Sequence, residues 1–248
     1  MPAIVTRVTH SCVLLDFDGR QVLTDPWFSE KPGYRRGEPL AFTPVDLPRL
    51  TAVVASHDHY DHFDLNAFAA YPHKDVPFIV KTGMGVKARK AGFTNVIESD
   101  PWDGVTVDGL RVTATPARHG VPENTYVIQG ADTTVFFGAD TLRIPDLDEI
   151  ATRFPAIDLA LLPVNGLAIR PAFNRRVVMT AEQAAELCGV LRPAIAVPIH
   201  YAFTAGRWGD RLFLSYNGTP DRFARAVPRF APDTAVHVLA PGEPLLTS

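Results

Sequence analysis

Apolar and polar positions alternate over residues 4–8, and a largely apolar run follows at 12–17. Asp18-Gly19 then supplies a hairpin turn before 21–24, so the chain opens as β structure. Five prolines from Pro26 to Pro48 break any periodicity and predict a long structured loop, the kind that serves as a lid or binding loop. Periodicity returns as a buried strand at 51–55, a helix at 63–70, a strand at 78–80 and a helix at 84–91 closed by Gly92. A second hairpin, 105–107 and 110–114, brackets Asp108-Gly109. In the second half, strands at 126–128, 134–137, 159–162, 194–198 and 235–239 mix with helices at 146–153, 180–191 and 220–227. The middle helix opens on a capping box, Thr180-Ala181-Glu182-Gln183, in which each end residue's side chain accepts from the other's backbone N–H. Strands mixed with helices in both halves predict two sheets packed face to face with helices outside. No strict repeat or low-complexity linker interrupts residues 1–248, which are read as a single domain.

Charge and composition narrow the partners. Against 27 acidic residues the chain has 24 basic ones, a formal net charge of −3. That balance offers neither the basic field of a nucleic-acid binder nor a polybasic tract for a membrane surface. The expected partner is a small-molecule substrate, with no nucleic acid and no stable membrane association; homo-oligomer formation is left open. The first seven residues lack the basic-then-apolar pattern of a signal peptide. No apolar run approaches the ~20 residues that span a bilayer. Cys12 and Cys188 lie far apart in apolar surroundings, so free buried thiols are expected. Together these features predict a cytoplasmic globular protein.

One segment stands apart. The strand at 51–55 runs into Ser56-His57-Asp58-His59-Tyr60-Asp61-His62, with three histidines and two aspartates in its last six positions. Imidazole and carboxylate are ligand types that suit zinc, manganese and iron. Crowded onto one turn, they repel and lose hydration unless a cation neutralises them. Further ligands should lie at other strand ends, where a side chain is rigidly held yet faces a cleft. Three residues meet that condition: His119 after 112–115, Asp140 after 135–137 and His200 after 195–197.

The set H-x-H-x-D-H followed by His, Asp and His, each at a strand end, resembles the metallo-β-lactamase superfamily over essentially the whole chain. Thr9-His10-Ser11-Cys12, Thr24-Asp25-Pro26-Trp27 and Thr115-Pro116-Ala117 are similar to its branch containing ascorbate-6-phosphate lactonase and N-acyl-phosphatidylethanolamine phospholipase D. The resemblance implies an α/β protein, an αβ/βα four-layer sandwich of two mixed sheets with outer helices. It also implies two divalent metal ions in the cleft, zinc first, with manganese or iron as alternatives. By matching positions, His57, His59 and His119 would hold one ion and Asp61, His62 and His200 the other, with Asp140 bridging them. His10, by its motif, would bond to substrate. Asp25 and Asp58 are the candidates for accepting ring N–H bonds from the metal histidines. His73 and His237 match no motif.

The implied reaction is hydrolysis of a lactone, ester or phosphoester by a hydroxide bridging the two ions, with Asp61 and Asp140 setting the charge of the centre. Rival readings are an iron-dependent oxygenase or reductase, a phosphodiesterase or phospholipase D-type enzyme, and a non-enzymatic degenerate member. Substrate contacts are expected from Tyr201, Trp208 and Arg170. Arg175, Arg176, Trp27, Phe28, Tyr34 and Phe203 flank the same region. Two departures fall there. Val177-Val178-Met179 stands where phospholipase-type relatives carry a histidine, and residues 201–208 replace a run of small residues. The substrate therefore does not transfer with the resemblance.

Overall fold

The computed structural model describes residues 2–247, and among these two seven-stranded sheets form. The first orders its strands Pro244–Leu246, Ile4–Thr9, Cys12–Phe17, Arg20–Thr24, Ala52–Ala55, Phe78–Lys81 and Val96–Ser99. The second runs Ala235–Val236, Ile195–Ile199, Leu159–Pro163, Thr134–Phe137, Thr125–Gln129, Leu110–Thr115 and Gly104–Val107. Hairpin neighbours and the terminal pair Ile4–Thr9 with Pro244–Leu246 run antiparallel, whereas the central strands reached by crossovers pair parallel, so each sheet is mixed.

Parallel strands must be covered on both faces, and the alternation along each one shows how. Ala52 and Val54 face the opposite sheet, meeting Val112, Tyr126, Phe137 and Leu161 in the central core. Val53 and Ala55 face outward, against Phe63, Phe68 and Phe93. In the second sheet Leu159 and Leu161 point to the centre, while Ala160 and Leu162 pack under Leu187 and Cys188 of helix Ala181–Leu191 and under Phe223. The result is the expected four-layer αβ/βα sandwich. Each buried Val, Leu or Phe adds ~1.5–3 kcal/mol from the water it sheds. Cys12 and Cys188 are buried and free. Among the described residues no helix is long and apolar enough to cross a membrane.

The capping box forms, with Gln183 N donating to Thr180 Oγ1 at 3.3 Å and Thr180 N to Gln183 Oε1 at 3.1 Å. The helix expected at 63–70 contracts to Leu65–Phe68, because Asp64 is its cap and accepts from Ala67 N at 3.2 Å. The strand expected at 235–239 shortens to Ala235–Val236. Helix Arg207–Phe213 has no counterpart in the sequence pattern. Its Trp208, Leu212 and Phe213 are exposed, so it lacks the inward apolar stripe that periodicity detects.

The proline-rich loop is tied down at several points. Its short strand Arg35–Arg36 pairs with Phe203–Thr204. Asp64 Oδ2 accepts from Phe28 N at 3.1 Å and from Ser29 N at 2.7 Å. The strongest tie is fully buried Arg7, which donates from Nη2 to Glu38 Oε1 at 2.5 Å and from Nη1 to Leu239 O at 2.6 Å. The same Glu38 oxygen accepts from His10 N at 2.7 Å.

Candidate metal centre

The parallel strands deliver their C-terminal ends to one edge, the place where open α/β sheets bind ligands. Asp25 follows Arg20–Thr24, the His57–His62 turn follows Ala52–Ala55, and Asp140 and His200 follow Thr134–Phe137 and Ile195–Ile199. His10 leaves the antiparallel strand Ile4–Thr9 beside them. The chain bends hard at these exits. His10, Asp25, Ala139 and His200 have φ of 46°, 34°, 43° and 56°. Left-handed backbone costs a non-glycine residue ~1–2 kcal/mol, and such strain gathers where a side chain has to be aimed.

Two donor sets result. In the first, His57 Nε2 and His119 Nε2 lie 2.9 and 3.2 Å from His59 Nδ1. A tetrahedron built on zinc–nitrogen bonds of ~2.0–2.1 Å has edges of roughly 3.3 Å, so these spacings suit ligands of one ion. His119 Nδ1 donates to Val177 O at 2.7 Å, which leaves Nε2 free to face inward. In the second set, His62 Nδ1 donates to Asp25 Oδ2 at 2.6 Å, while its Nε2 lies 3.7 Å from Asp61 Oδ2. Asp140 Oδ2 stands between the sets, 3.9 Å from His57 Nε2, 4.0 Å from His119 Nε2, 3.2 Å from His62 Nε2 and 2.7 Å from His200 Nε2. The buried atoms His62 Nε2, both His200 ring nitrogens and Asp140 Oδ1 have no hydrogen-bond partner. Donors of these types, converging on Asp140 with hydrogen bonds left unmade, fit divalent cations.

Electrostatics agree. Burial disfavours a charged His62, but Asp140, Asp61 and Asp25 outweigh it and hold its pKa well above the usual value. Burial likewise opposes ionised Asp140, yet His200 and His62 hold its carboxyl well below the usual range. Burial, with His62 beside it, pushes His57 well down, leaving a neutral ring with a lone pair to offer. The carboxylates create a demand for positive charge that a divalent ion meets more fully than one imidazolium.

Residues 20–201 match the model of a family described as the β-lactamase superfamily domain. The chain belongs to that superfamily. A UPF0173 metal-dependent hydrolase of Nitratidesulfovibrio vulgaris is 31% identical over 253 residues, covering 97% of this chain and 95% of that one. Among solved structures, a metallo hydrolase from Ignicoccus hospitalis superposes with a TM-score of 0.76 at 24% identity, over 100% of this chain and 99% of its own. A diiron β-hydroxylase from Streptomyces venezuelae gives 0.79 at 20% identity, over 98% of this chain and 54% of its own. Those two likenesses show the fold. The chain spans about half, 46%, of the length of curated uncharacterized proteins of Mycobacterium tuberculosis that are 34% identical over 173 residues.

Around this superfamily centre several expected contacts move. Asp58 sits between two donor histidines in sequence, but the turn points it outward, where it is exposed and ion-paired with Lys87. It supports no histidine ring. Asp25 does, His57 Nδ1 hydrogen-bonds to Ser56 Oγ at 2.9 Å, and Glu123, which no sequence pattern marks, packs beside that ring. Its carboxylate lies 3.4 Å from His57 Nδ1 and accepts from Asp140 N at 2.8 Å. Burial, with the Asp140 charge beside it, pushes the Glu123 carboxyl well up.

A cleft of about 300 Å³ opens over the donors His59, Asp61, His119, Asp140 and His200, walled by Tyr34, Leu167, Ile169, Phe203 and Leu214. Tyr201, Trp208 and Arg170 are not among its lining residues. Tyr201 accepts from Arg7 at 2.5 Å, in the tie beneath the long loop. Arg170 is exposed and donates to Leu214 O at 2.5 Å, bracing a small three-stranded sheet, and Trp208 is solvent-exposed. Of the flanking aromatics Tyr34 and Phe203 reach the cleft, while buried Trp27 lies edge-on to His10 at 5.3 Å. A wider depression near Lys31, Tyr60 and Lys87 meets the donor set only at His59.

Proposed function

We propose that the chain is a binuclear metal-dependent hydrolase acting on a small lactone or carboxylic ester, with phosphoesters as the neighbouring class. The observation that carries this reading is Asp140, whose single Oδ2 lies within 4.0 Å of nitrogens from both donor sets. Supporting it, the N. vulgaris relative is named a metal-dependent hydrolase. The apolar walls Leu167, Ile169, Phe203 and Leu214 support an uncharged substrate body.

Divalent ions held by these residues would lower the pKa of a bound water toward ~7 and polarise the scissile group. The chain's own residues do the orienting. Asp25 holds the proton at His62 Nδ1, and Val177 O holds that at His119 Nδ1, which turns each Nε2 lone pair inward. Leu167, Ile169 and Phe203 put apolar walls beside the donors, which would strengthen charge interactions there once substrate fills the cleft. Zinc is the ion proposed first. The S. venezuelae diiron enzyme shows that the fold also carries oxygen chemistry, so metal identity separates the two readings.

The test is elemental analysis of the purified full chain, with a hydrolysis screen over lactones, esters, phosphodiesters and β-lactams in zinc- and manganese-loaded forms. About two ions per chain are expected, with lactone or ester turnover falling at least ~100-fold on chelation and returning with metal. Iron content with oxygen consumption, or turnover that ignores chelation, would overturn the proposal.

A further inference from the structure

We infer that His10 is a ligand of the second ion and not a substrate contact; this rests on the binuclear reading above. His10 is fully buried and is not among the residues that line the cleft. Neither of its ring nitrogens has a hydrogen-bond partner. A histidine kept for packing would ordinarily have one, because an orphaned buried polar atom costs ~1–3 kcal/mol.

The ring is nevertheless held firmly. His10 N donates to Glu38 Oε1 at 2.7 Å, and His200 N donates to His10 O at 3.4 Å. Trp27 lies edge-on to the ring on one side, and the His200 ring lies 4.2 Å away centre to centre. With its backbone in the left-handed region, the residue is fixed at both ends of its side chain. So placed, Nε2 stands 3.6 Å from Asp61 Oδ2. That separation is too long for a hydrogen bond. It suits two ligands of one ion, whose donor atoms stand roughly 3.3–3.6 Å apart when each bond is ~2.0–2.2 Å in a tetrahedral set. One donor atom each from His10, Asp61, His62 and His200 lies within 4.8 Å of all the others.

The assignment makes the two ions unequal. The first has His57, His59, His119 and shared Asp140, and His59 and His119 are only partly buried, which leaves a coordination position toward the cleft. The second has His10, Asp61, His62 and His200 besides Asp140, a fuller set that binds its ion more tightly and leaves it less room for water.

Cobalt(II) titration of the metal-stripped full chain, followed by its visible absorption, tests this. The wild type should take up two equivalents in two steps. His10→Ala and His10→Gln should weaken the tighter step at least ~100-fold, beyond the effect of losing an outer hydrogen-bond partner, and change its absorption band while sparing the other step. The glutamine variant keeps the bulk of the ring, and thermal melts confirm that each variant is folded. If both folded variants take up two ions with wild-type affinity and spectrum, the inference fails whatever happens to KM. A wild type that binds fewer than two ions would instead overturn the binuclear reading itself.

Discussion

Asp140→Ala is expected to lower kcat/KM at least ~10³-fold, which is ~4 kcal/mol of transition-state stabilisation, and to cut bound metal from two ions toward one. Its Oδ2 lies within 4.0 Å of nitrogens from both donor sets, the position a shared ligand would need. Removing it also deletes a negative charge that two buried histidines face, which makes a second cation harder to hold. The fold should survive, because the Asp140 contact to Glu123 runs through the backbone N–H. Asp140→Asn separates charge from shape: it keeps the oxygen and should retain more metal than the alanine variant while remaining slow. Metal analysis beside steady-state kinetics checks both. An alanine variant that holds two ions and hydrolyses normally would remove Asp140 from the role proposed.

Arg7→Met should destabilise the protein by ~3 kcal/mol, and Tm should drop by ~6–12 °C. The guanidinium is fully buried and donates to Glu38, Tyr201 and Leu239 O. Methionine replaces its volume but leaves a carboxylate and a carbonyl short of a donor. Glu38 is slightly exposed, so some of its charge can be rehydrated, which keeps the loss at the lower end of the range for breaking buried pairs. Glu38→Gln should cost less, since its amide oxygen still accepts from Arg7 and His10 N. Thermal melts of both variants and the double variant give the coupling; an Arg7→Met melt within 2 °C of wild type, well under the ~6 °C floor, would show the tie to be idle.

The candidate metal donors were legible because each combines a local signal with a rigid support: a titratable residue within a few positions of the end of an apolar strand. The sandwich was legible for a related reason, since Ala52–Ala55 and Leu159–Pro163 are buried on both faces and read as continuous apolar runs. Support residues follow no such rule. Asp58 is adjacent to two donors, but successive residues in a turn point in different directions, and it ends on Lys87. Glu123 lies in a loop with no periodicity, and only tertiary packing sets it against His57 and Asp140 N. The cleft walls were hidden likewise. Ile169 and Leu214 meet through a two-residue strand pairing, too short to leave a pattern.

Glu38 belongs to the proline-rich loop, yet its carboxylate grips the strand that ends at His10. Order gained at one end of that link is returned at the other by the same free energy. If the centre binds metal as proposed, the loop should be steadier when it is loaded. Chains lacking metal are then expected to present a slacker segment to proteases. Limited proteolysis with and without chelator exposes the link through faster cutting between residues 30 and 44 in the stripped protein; equal rates would break it.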